Sequence, residues 1–476
     1  MCNNCIFQSF RYLFSSFRGF MRSLMWFRSD LRIHDNEALS RATQNQQTIA
    51  LFIVAHKEWE NHNDAKLKLA FMWRNLQQLK ISLERKNIPL KIIEVDAWAE
   101  IPDRIEQLML AHEISSLYFN HEVGINEVER DRAVYRQLKK RHLNIYHYHD
   151  KTLVKLGSIL NGENHPYKVF TAFKKRLIEI LQHSHFDNYA EIIAQHPMDL
   201  VSDDLTFNPY HAFDDLAYKA GENAAFEILQ EFLKEDIFNY HQNRDLLAID
   251  GTSRLSPYLT LGIVSVKALL KEALIINEGQ FQTGDEGVLT WMNELYWREF
   301  YYHIMWNFPQ VSKNRAFQAK TENIPWRENE SDFEAWKNGK TGIPIVDACM
   351  RQLKETGWMH NRGRMITAMF LTKNLLIDWR KGEAWFMQNL IDGDFAANNG
   401  GWQWSASTGT DAVPYFRIFN PITQAERFDP KGDFIRQWCP ELSGLDHKQI
   451  PKAQQNAIVD LKSSRLRAIE AFKSLS

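Results

Sequence analysis

Residues Leu24–Arg32 read LMWFRSDLR, a short apolar run that gives way after Phe27 to charged and polar residues. Apolar runs of similar, strand-like length return at Ile49–Val54, Leu90–Val95, Leu117–Phe119 and Ile145–Tyr148. Amphipathic segments of helical length lie between them, for example Ala65–Arg85 and Asn126–Arg141. Strands that alternate with helices predict a parallel sheet with helices on both faces. We therefore expect a doubly wound, five-stranded α/β domain over residues 22–150.

The rest of the chain has a different pattern. No G-x-G-x-x-G turn follows the first apolar run, so a cofactor bound to the α/β domain would have to be held in another way. Residues 151–220 include Asn161–Pro166, a cluster of turn-forming residues, and are predicted to be a connector. From residue 221 to residue 476 the pattern is helical. This predicts a large all-α domain after the connector.

Composition limits the class of protein. The 476 residues are 44% hydrophobic and 24% charged, which is typical of globular proteins. No apolar stretch approaches the roughly 18 residues of a membrane span. The net charge of -2 means that any DNA-binding site must be a local basic patch. Four cysteines are too few for a disulfide framework and indicate a reducing, cytoplasmic setting.

The N-terminal segment, residues 1–21, is unlike the rest. Its first 20 residues contain Arg, Phe and Ser but neither Asp nor Glu. A transit peptide has this composition, and so does a stretch upstream of a wrongly assigned start codon. Because Met21 directly precedes the first strand, the second interpretation is favoured and the segment is excluded from the fold. Cys2 and Cys5 have half of a zinc-site spacing, but without a second pair they predict no metal site.

Tryptophan is concentrated in the helical part of the chain. Of the 15 tryptophans, 11 lie between Trp291 and Trp438. Any one of them is most simply explained as core packing. As a group they are also suited to relaying electrons, or to stacking on bases or on a flavin ring.

Four segments of the helical part combine residues that suit a ligand. Asp250–Pro257 places Gly, hydroxyl residues and Arg before an apolar run, which fits a phosphate at a helix start or a plain N-cap. Trp291–Phe300 puts an acid, an indole and a guanidinium on one helix face. Arg351–Arg364 mixes basic residues with Trp and His, which fits a DNA backbone or a solvated face. Asp392–Trp404 joins two carboxylates, small residues and two indoles, which suits a planar ligand.

These segments resemble the photolyase/cryptochrome family, most closely the class I CPD (cyclobutane pyrimidine dimer) photolyases of bacteria, over about residues 24–440. The blocks that carry the resemblance are GTSRLS (Gly251–Ser256), NELYWREFY (Asn293–Tyr301), KTGIPIVDACMRQL (Lys340–Leu353), TGWMHNRGRMITA (Thr356–Ala368), IDGDFAANNGGWQW (Ile391–Trp404) and STGTDAVPYFRIFNP (Ser407–Pro421). Their number and order exclude a chance match.

The resemblance implies a U-shaped FAD, working as FADH⁻, buried in the helical domain. The implied FAD-binding residues are Tyr240, Thr252, Ser253, Arg254, Leu255, Ser256, Trp291, Glu294, Asn361, Arg364, Asp392, Gly393, Asp394 and Asn398. The implied DNA contacts are Arg244, Glu294, Trp297, Arg298, Tyr301, Asn361, Arg362 and Gln424. The implied catalytic group is Glu294, Trp297, Asn361, Met365 and Trp404, and the implied electron relay is Trp402, Trp379 and Trp326.

The implied activity is light-driven repair of pyrimidine dimers in UV-damaged DNA by a monomer. The dimer is flipped out of the duplex, and excited FADH⁻ lends it one electron. Repair of (6-4) photoproducts is the first alternative, but Asn361 and Met365 follow the CPD pattern, whereas (6-4) enzymes usually have His in place of the Asn. A signalling cryptochrome is the second alternative. Cryptochromes often have a long C-terminal tail, and the DASH branch usually has Tyr at the position of Trp297.

A second chromophore is also implied. Close relatives hold the antenna methenyltetrahydrofolate between the two domains, and Asn126, Glu127 and Lys313 match that site. A carboxylate suits the pterin donors, and an ammonium suits the folate tail. Ser312 departs from the pattern, because a close relative pattern has Cys there, and Glu127 could also be an ordinary acid in the first turn of a helix. A deazaflavin or no antenna remain the alternatives.

Overall fold

The computed structural model describes residues 21–44, 46–184, 189, 191–213, 217–454 and 456–475. The predictions for residues 1–20, including Cys2 and Cys5, lie outside these ranges. The α/β part contains five strands: β1 (Arg22–Phe27), β2 (Gln47–Val54), β3 (Leu90–Glu94), β4 (Ile114–Asn120) and β5 (Asn144–Tyr148). They form one parallel sheet in the order β3-β2-β1-β4-β5. The predicted sheet is confirmed.

The sheet is buried on both faces, which explains why its strands read as continuous apolar runs. Met25 and Phe27 belong to the core on one face, while Leu24 and Trp26 belong to the core on the other. The helices of this part are α1 (Glu37–Ala42), α2 (His56–Asn61), α3 (Lys66–Glu84), α4 (Ile101–Ala111) and α5 (Ile125–Lys140), with a 3₁₀ turn at Trp98–Glu100. Helices α3 and α5 begin and end within one residue of the segments Ala65–Arg85 and Asn126–Arg141 that the sequence predicted.

The segment predicted to be a connector contains one long helix, α6 (Phe170–Gln182), and a 3₁₀ turn at His211–Phe213. Residues 195–203 of this segment run along the edge of the sheet. Gln195 is hydrogen-bonded to the backbone of Thr48 and to Asn87. The Asp203 carboxylate accepts a hydrogen bond from the backbone N–H of Ile92. The boundaries at residues 150 and 220 stay predictions, but this segment covers the strand β3 that ends the sheet.

The remainder of the described chain is helical. Its α-helices are α7 (Glu222–Lys234), α8 (Asp236–Asn243), α9 (Ser256–Thr260), α10 (Val266–Ile276), α11 (Glu286–Asn307), α12 (Glu330–Lys337), α13 (Pro344–Thr356), α14 (Asn361–Met369), α15 (Trp379–Asn389), α16 (Phe395–Ala406), α17 (Pro421–Phe428), α18 (Asp433–Trp438) and α19 (Leu461–Lys473). Shorter 3₁₀ turns lie at Val311–Lys313, Ala319–Asn323, Pro440–Leu442 and Ile450–Lys452, and a π-helix at Phe370–Asn374. Within the described ranges, no helix is long and apolar enough to cross a membrane.

The segment after β1 docks the sheet on the helical part. Leu31 N–H donates to Leu261 O at 3.1 Å, and Arg32 donates to Gly262 O at 3.0 Å. Arg32 also forms a buried ion pair with Asp150. Gly262 has φ +62°, and a Cβ there would collide with Ser29 O, so only glycine allows the two backbones to approach this closely.

Candidate functional site

The helical part encloses a cavity of about 510 Å³, called here the central cavity. It is lined by segments distant in sequence that come from α8, α11, α14 and α16 and from the Thr252–Ser256 and Leu390–Asp394 loops. Of the residues implied to bind FAD, all except Gly393 line this cavity: Tyr240, Thr252, Ser253, Arg254, Leu255, Ser256, Trp291, Glu294, Asn361, Arg364, Asp392, Asp394 and Asn398. Gly393 faces a second cavity between the domains.

One end of the central cavity suits a diphosphate. Thr252 Oγ1 is buried there without a hydrogen-bond partner, so a ligand acceptor or donor can satisfy it. The Arg254 guanidinium lies 3.6 Å from the centre of the Trp358 ring and also pairs with Asp250. A cation held by stacking, next to hydroxyl groups, is the arrangement that binds phosphate oxygens.

The Asp392 carboxylate is held by a forked ion pair. Arg364 donates from one nitrogen to Asp392 Oδ1 at 3.0 Å and to Oδ2 at 2.8 Å. Its Nε donates to Met359 O at 2.8 Å, so the guanidinium is anchored at two points. Both side chains line the central cavity, and the Asp392 side chain is only 2% exposed.

Asp394 caps α16 and separates the two cavities. One carboxylate oxygen accepts from Ala397 N–H at 2.9 Å, and the other accepts from Tyr302 OH at 2.5 Å. Arg298 donates to the same Tyr302 hydroxyl at 3.2 Å. Burial alone would raise the pKa of Asp394, but the charges of Arg298 and Lys151 outweigh it and hold that pKa below its ordinary value. Asp394 is therefore a fixed carboxylate.

Asn398 lines the central cavity with its amide orientation constrained. Its nitrogen donates to Glu383 O at 3.1 Å, which leaves the carbonyl oxygen as the polar atom for a ligand N–H. The neighbouring Asn399 donates to Glu383 Oε1 at 2.8 Å. An acceptor in this position fits the N–H of a reduced flavin ring.

The central cavity is also lined by the residues implied to meet the lesion, all of which are half-buried or exposed, and this part of its wall is called here the open side. Glu294, Trp297, Asn361, Met365 and Trp404 all lie there. Arg244 donates to Glu294 Oε1 at 2.6 Å. Burial raises the pKa of Glu294, and the charge of Arg244 offsets part of that rise. The wall therefore offers two indoles, a thioether and a carboxylate to one ligand.

The remaining implied DNA contacts are distributed unevenly. Tyr301 and Arg298 line the central cavity, and Arg298 donates to Lys151 O at 2.7 Å, inside the protein. Arg362 lies outside the cavity and pairs with Asp245 at 2.7 Å. Gln424 is part-buried on α17 and does not line the cavity. Arg362 and Gln424 are thus placed to act on a ligand only where it extends beyond the cavity.

The three relay tryptophans lie in and beside one apolar core. Trp402 is 2% exposed and lines the central cavity, Trp379 is fully buried, and Trp326 packs against the same core. Gly382 lets α15 approach the Trp402 ring, because a Cβ there would overlap the indole. A fourth indole, Trp336, meets Trp402 edge-on at 6.0 Å and was not singled out from the sequence.

The second cavity, called here the interdomain cleft, has a volume of about 410 Å³. Of the residues implied to hold the antenna, Asn126 and Glu127 line the cleft, whereas Lys313 does not, although its neighbours Ser312 and Asn314 do. Burial and the nearby Glu122 raise the pKa of Glu127. Burial also raises the pKa of Glu383, on the helical side of the cleft, to about 7.

Tyr302 and Asp245 help to shape these sites but were not singled out from the sequence, and Trp358 was singled out only for a DNA contact. Tyr302 is hydrogen-bonded to Asp394, and Asp245 is hydrogen-bonded to Arg362. The Trp358 ring stacks on the Arg254 guanidinium. Tyr302 directly follows the block Asn293–Tyr301, and Trp358 lies within the block Thr356–Ala368, so their proximity to the site was visible in the sequence. Their partners, far away along the chain, were not.

Two family models match the chain. Residues 23–191 match the model described as DNA photolyase, and residues 291–474 match the FAD binding domain of DNA photolyase. The deoxyribodipyrimidine photo-lyase of Escherichia coli (strain K12) is 42% identical over 467 residues, covering 95% of this chain and 98% of that protein. The protein of the same name from Vibrio cholerae is 40% identical, covering 90% and 92%. The chain belongs to the DNA photolyase family.

Solved structures agree on the fold. A class III photolyase from Agrobacterium tumefaciens has a TM-score of 0.84 and 30% identity, covering 97% of this chain and 99% of that one. An archaeal photolyase from Sulfolobus tokodaii, described with two FAD molecules, has a TM-score of 0.79 and 28% identity, covering 95% and 100%. A Synechocystis cryptochrome has a TM-score of 0.84 but only 27% identity, covering 94% and 99%. The 42% identity to a deoxyribodipyrimidine photo-lyase, against 27% to this cryptochrome, favours repair over signalling.

Proposed function

We propose that this protein is a light-driven enzyme that repairs cyclobutane pyrimidine dimers in DNA, with FAD in the central cavity and the dimer at its open side. The observation that carries the proposal is that one cavity is lined both by groups suited to FAD and by groups suited to a flipped-out dimer. FAD follows from the family match, and the residue roles are our assignment. Bound FAD would supply the photochemistry, a reversible one-electron transfer.

The protein's own residues would bind, orient and exclude water. Trp297 and Trp404 offer flat apolar faces that a dimer can stack on once it leaves the duplex. Glu294, held by Arg244, offers a carboxyl to the polar edge of the dimer. Burial raises the pKa of Glu294 and so makes its protonation easier than that of an exposed glutamate, and a protonated carboxyl can donate as well as accept a hydrogen bond. Such a donor would stabilise negative charge that develops on a dimer carbonyl.

Repair of a defined oligonucleotide tests the proposal. Purified protein with reduced flavin should restore an oligonucleotide that carries one thymine dimer under blue light, and should leave it unchanged in the dark. An otherwise identical oligonucleotide with a (6-4) photoproduct should stay unrepaired under both conditions. Repair of the (6-4) lesion alone would favour the first alternative, and flavin reduction by light without repair of either lesion would favour a cryptochrome.

For the interdomain cleft we infer a methenyltetrahydrofolate antenna. The cleft opens between the two domains, and Asn126 and Glu127 line its wall at the start of α5. The position of Lys313 outside the lining weakens the assignment of the folate tail to that residue. A deazaflavin, or a second FAD as described for the Sulfolobus tokodaii relative, is the competing occupant.

Replacing Glu127 by Ala should weaken folate binding about tenfold or more, because hydrogen bonds to a charged group contribute about 1.5–3 kcal/mol. The measurement is titration of the purified protein with methenyltetrahydrofolate, followed by the near-ultraviolet absorption of the bound form and by sensitised repair. Glu129→Ala is the matched control, because Glu129 lies on the same helix, is exposed and pairs with Arg132 outside the cleft. Equal affinity in wild type and Glu127→Ala would place the folate elsewhere, and no binding would exclude a folate antenna.

A further inference from the structure

The Phe170 ring stacks on Trp297 from outside the lining of the central cavity. Trp297 is one of the two indoles at the open side of that cavity. The centroids of Trp297 and Phe170 are 3.6 Å apart, and the two ring planes differ by 8°. Phe170 is 7% exposed and does not line the cavity. It is the first residue of α6, within the segment that the sequence predicted to be only a connector.

The stacking fixes the plane of the indole. One face of Trp297 lies against Phe170, and Phe300 meets the indole edge-on at 5.8 Å with the planes at 77°. A side chain that is ordered before a ligand arrives loses less conformational entropy when the ligand binds. An indole held in this way presents its opposite face to the cavity in one orientation, which is what stacking on a flat, rigid ligand requires.

The position of Phe170 is itself fixed by the loop that follows α16. Its backbone N–H donates to Asp411 Oδ2 at 3.0 Å, and Thr410 Oγ1 donates to Lys168 O at 2.5 Å. Thr410 and Asp411 lie shortly after the end of α16, the helix that carries Trp404. A short series of contacts therefore joins the two indoles: α16, the loop that follows it, the start of α6, the Phe170 ring and Trp297.

We propose that Phe170 is a positioning residue for lesion recognition, and that Asp411 fixes Phe170 in turn. The proposal rests on the function proposed above and adds to it a determinant outside the cavity. In this arrangement the connector sets the spacing and tilt of the two lesion-facing indoles. Phe170 touches neither FAD nor the dimer, so its effect is on the preference for damaged DNA and not on the photochemistry.

The test compares the affinity for dimer-containing DNA with that for undamaged DNA of the same sequence. Phe170→Leu keeps the apolar volume but removes the flat face, and should lower this affinity ratio by about 2- to 10-fold, the range for an aromatic stacking contribution. Phe170→Tyr keeps the ring and should retain the wild-type ratio. Flavin content, and the repair yield per absorbed photon once DNA is saturating, should be unchanged in both.

Phe173→Leu is the control for general loosening of the helix. Phe173 is one turn further along α6 and packs edge-on against Phe300 at 5.1 Å and against His303 at 5.3 Å. This variant should lower thermal stability and leave the affinity ratio unchanged.

Asp411→Ala keeps the Phe170 ring but removes its backbone anchor, so it should lower the ratio by less than Phe170→Leu does. Asp411→Ala therefore also tests the proposal if Phe170→Leu folds poorly.

An unchanged ratio in both Phe170→Leu and Asp411→Ala would overturn the positioning role, and so would an equal fall in Phe170→Leu and Phe173→Leu. Wild-type protein separates these results from a failure of the proposed function. A wild-type protein with no preference for dimer-containing DNA contradicts the function itself and this inference with it. A wild-type preference that survives in the two test variants contradicts only the inference.

Discussion

Replacing Asp392 by Ala is expected to strip most of the FAD from the purified protein. The substitution removes both acceptors of the Arg364 fork and leaves that guanidinium, whose side chain is 26% exposed, anchored only on Met359 O. Because Asp392 lines the central cavity, the substitution also deprives the ligand of a charged acceptor. Hydrogen bonds to a charged group contribute about 1.5–3 kcal/mol, so their loss corresponds to a roughly 10- to 150-fold weaker affinity for FAD. The ratio of flavin to protein absorbance after gel filtration, and titration of the flavin-free protein with FAD, measure the effect.

The double variant Arg364→Met with Asp392→Leu separates cofactor binding from folding. Replacing both members of an ion pair by apolar residues can leave stability unchanged or higher, whereas removing one member leaves the other unpaired. The double variant should therefore unfold at a higher temperature than Asp392→Ala when both are flavin-free. It should nevertheless bind FAD as poorly. Full flavin content in Asp392→Ala would contradict the assignment of this segment to the cofactor.

The α/β sheet could be predicted from the sequence because its strands are buried on both faces and read as apolar runs. Strand ends were less accurate. β4 begins at Ile114, three residues before the predicted start at Leu117. The prediction began too late because Ser115 and Ser116 interrupt the apolar pattern. Ser116 is nevertheless 3% exposed and donates to Gln46 at 3.0 Å, so a polar residue occupies a core position with its hydrogen bond satisfied.

Helix α6 was missed although the sequence carried its signal. Phe170, Phe173, Leu177, Ile178 and Leu181 recur at helical spacing, and all five are buried. The turn-forming residues before them led to the interpretation of the whole segment as a connector. Phe170, which stacks on Trp297, was missed as a consequence.

The site could be predicted only in part, for a physical reason. Residues that share a helix or a loop with a recognisable motif, such as Asp392 and Asn398, can be named from the sequence. A partner such as Tyr302, hydrogen-bonded to Asp394 across 92 positions, leaves no local pattern. The pairing of Arg362 with Asp245 spans 117 positions and is equally invisible before folding.

The second large effect is expected for light-driven reduction of oxidised FAD, a reaction distinct from repair. Trp402 lines the central cavity, and Trp326 packs at the edge of the same core, where it can exchange electrons with an external donor. A phenyl ring is much harder to oxidise than an indole. Since every ~1.4 kcal/mol added to a barrier slows a step about tenfold, Trp326→Phe should slow photoreduction by tenfold or more. Repair by protein that was reduced chemically beforehand should stay near the wild-type rate.

Trp336→Phe makes this prediction specific to the route through Trp326. Trp336 meets Trp402 edge-on at 6.0 Å, but it is fully buried and its indole N–H donates to Thr367 O at 3.1 Å. Trp336 is therefore an indole in contact with Trp402 that does not belong to the implied series Trp402, Trp379 and Trp326. If electrons travel by way of Trp379 and Trp326, flavin-loaded Trp336→Phe should photoreduce at close to the wild-type rate, as followed by the loss of oxidised flavin absorbance under blue light. Slow photoreduction in Trp336→Phe with normal photoreduction in Trp326→Phe would mean that the route leaves Trp402 through Trp336 instead.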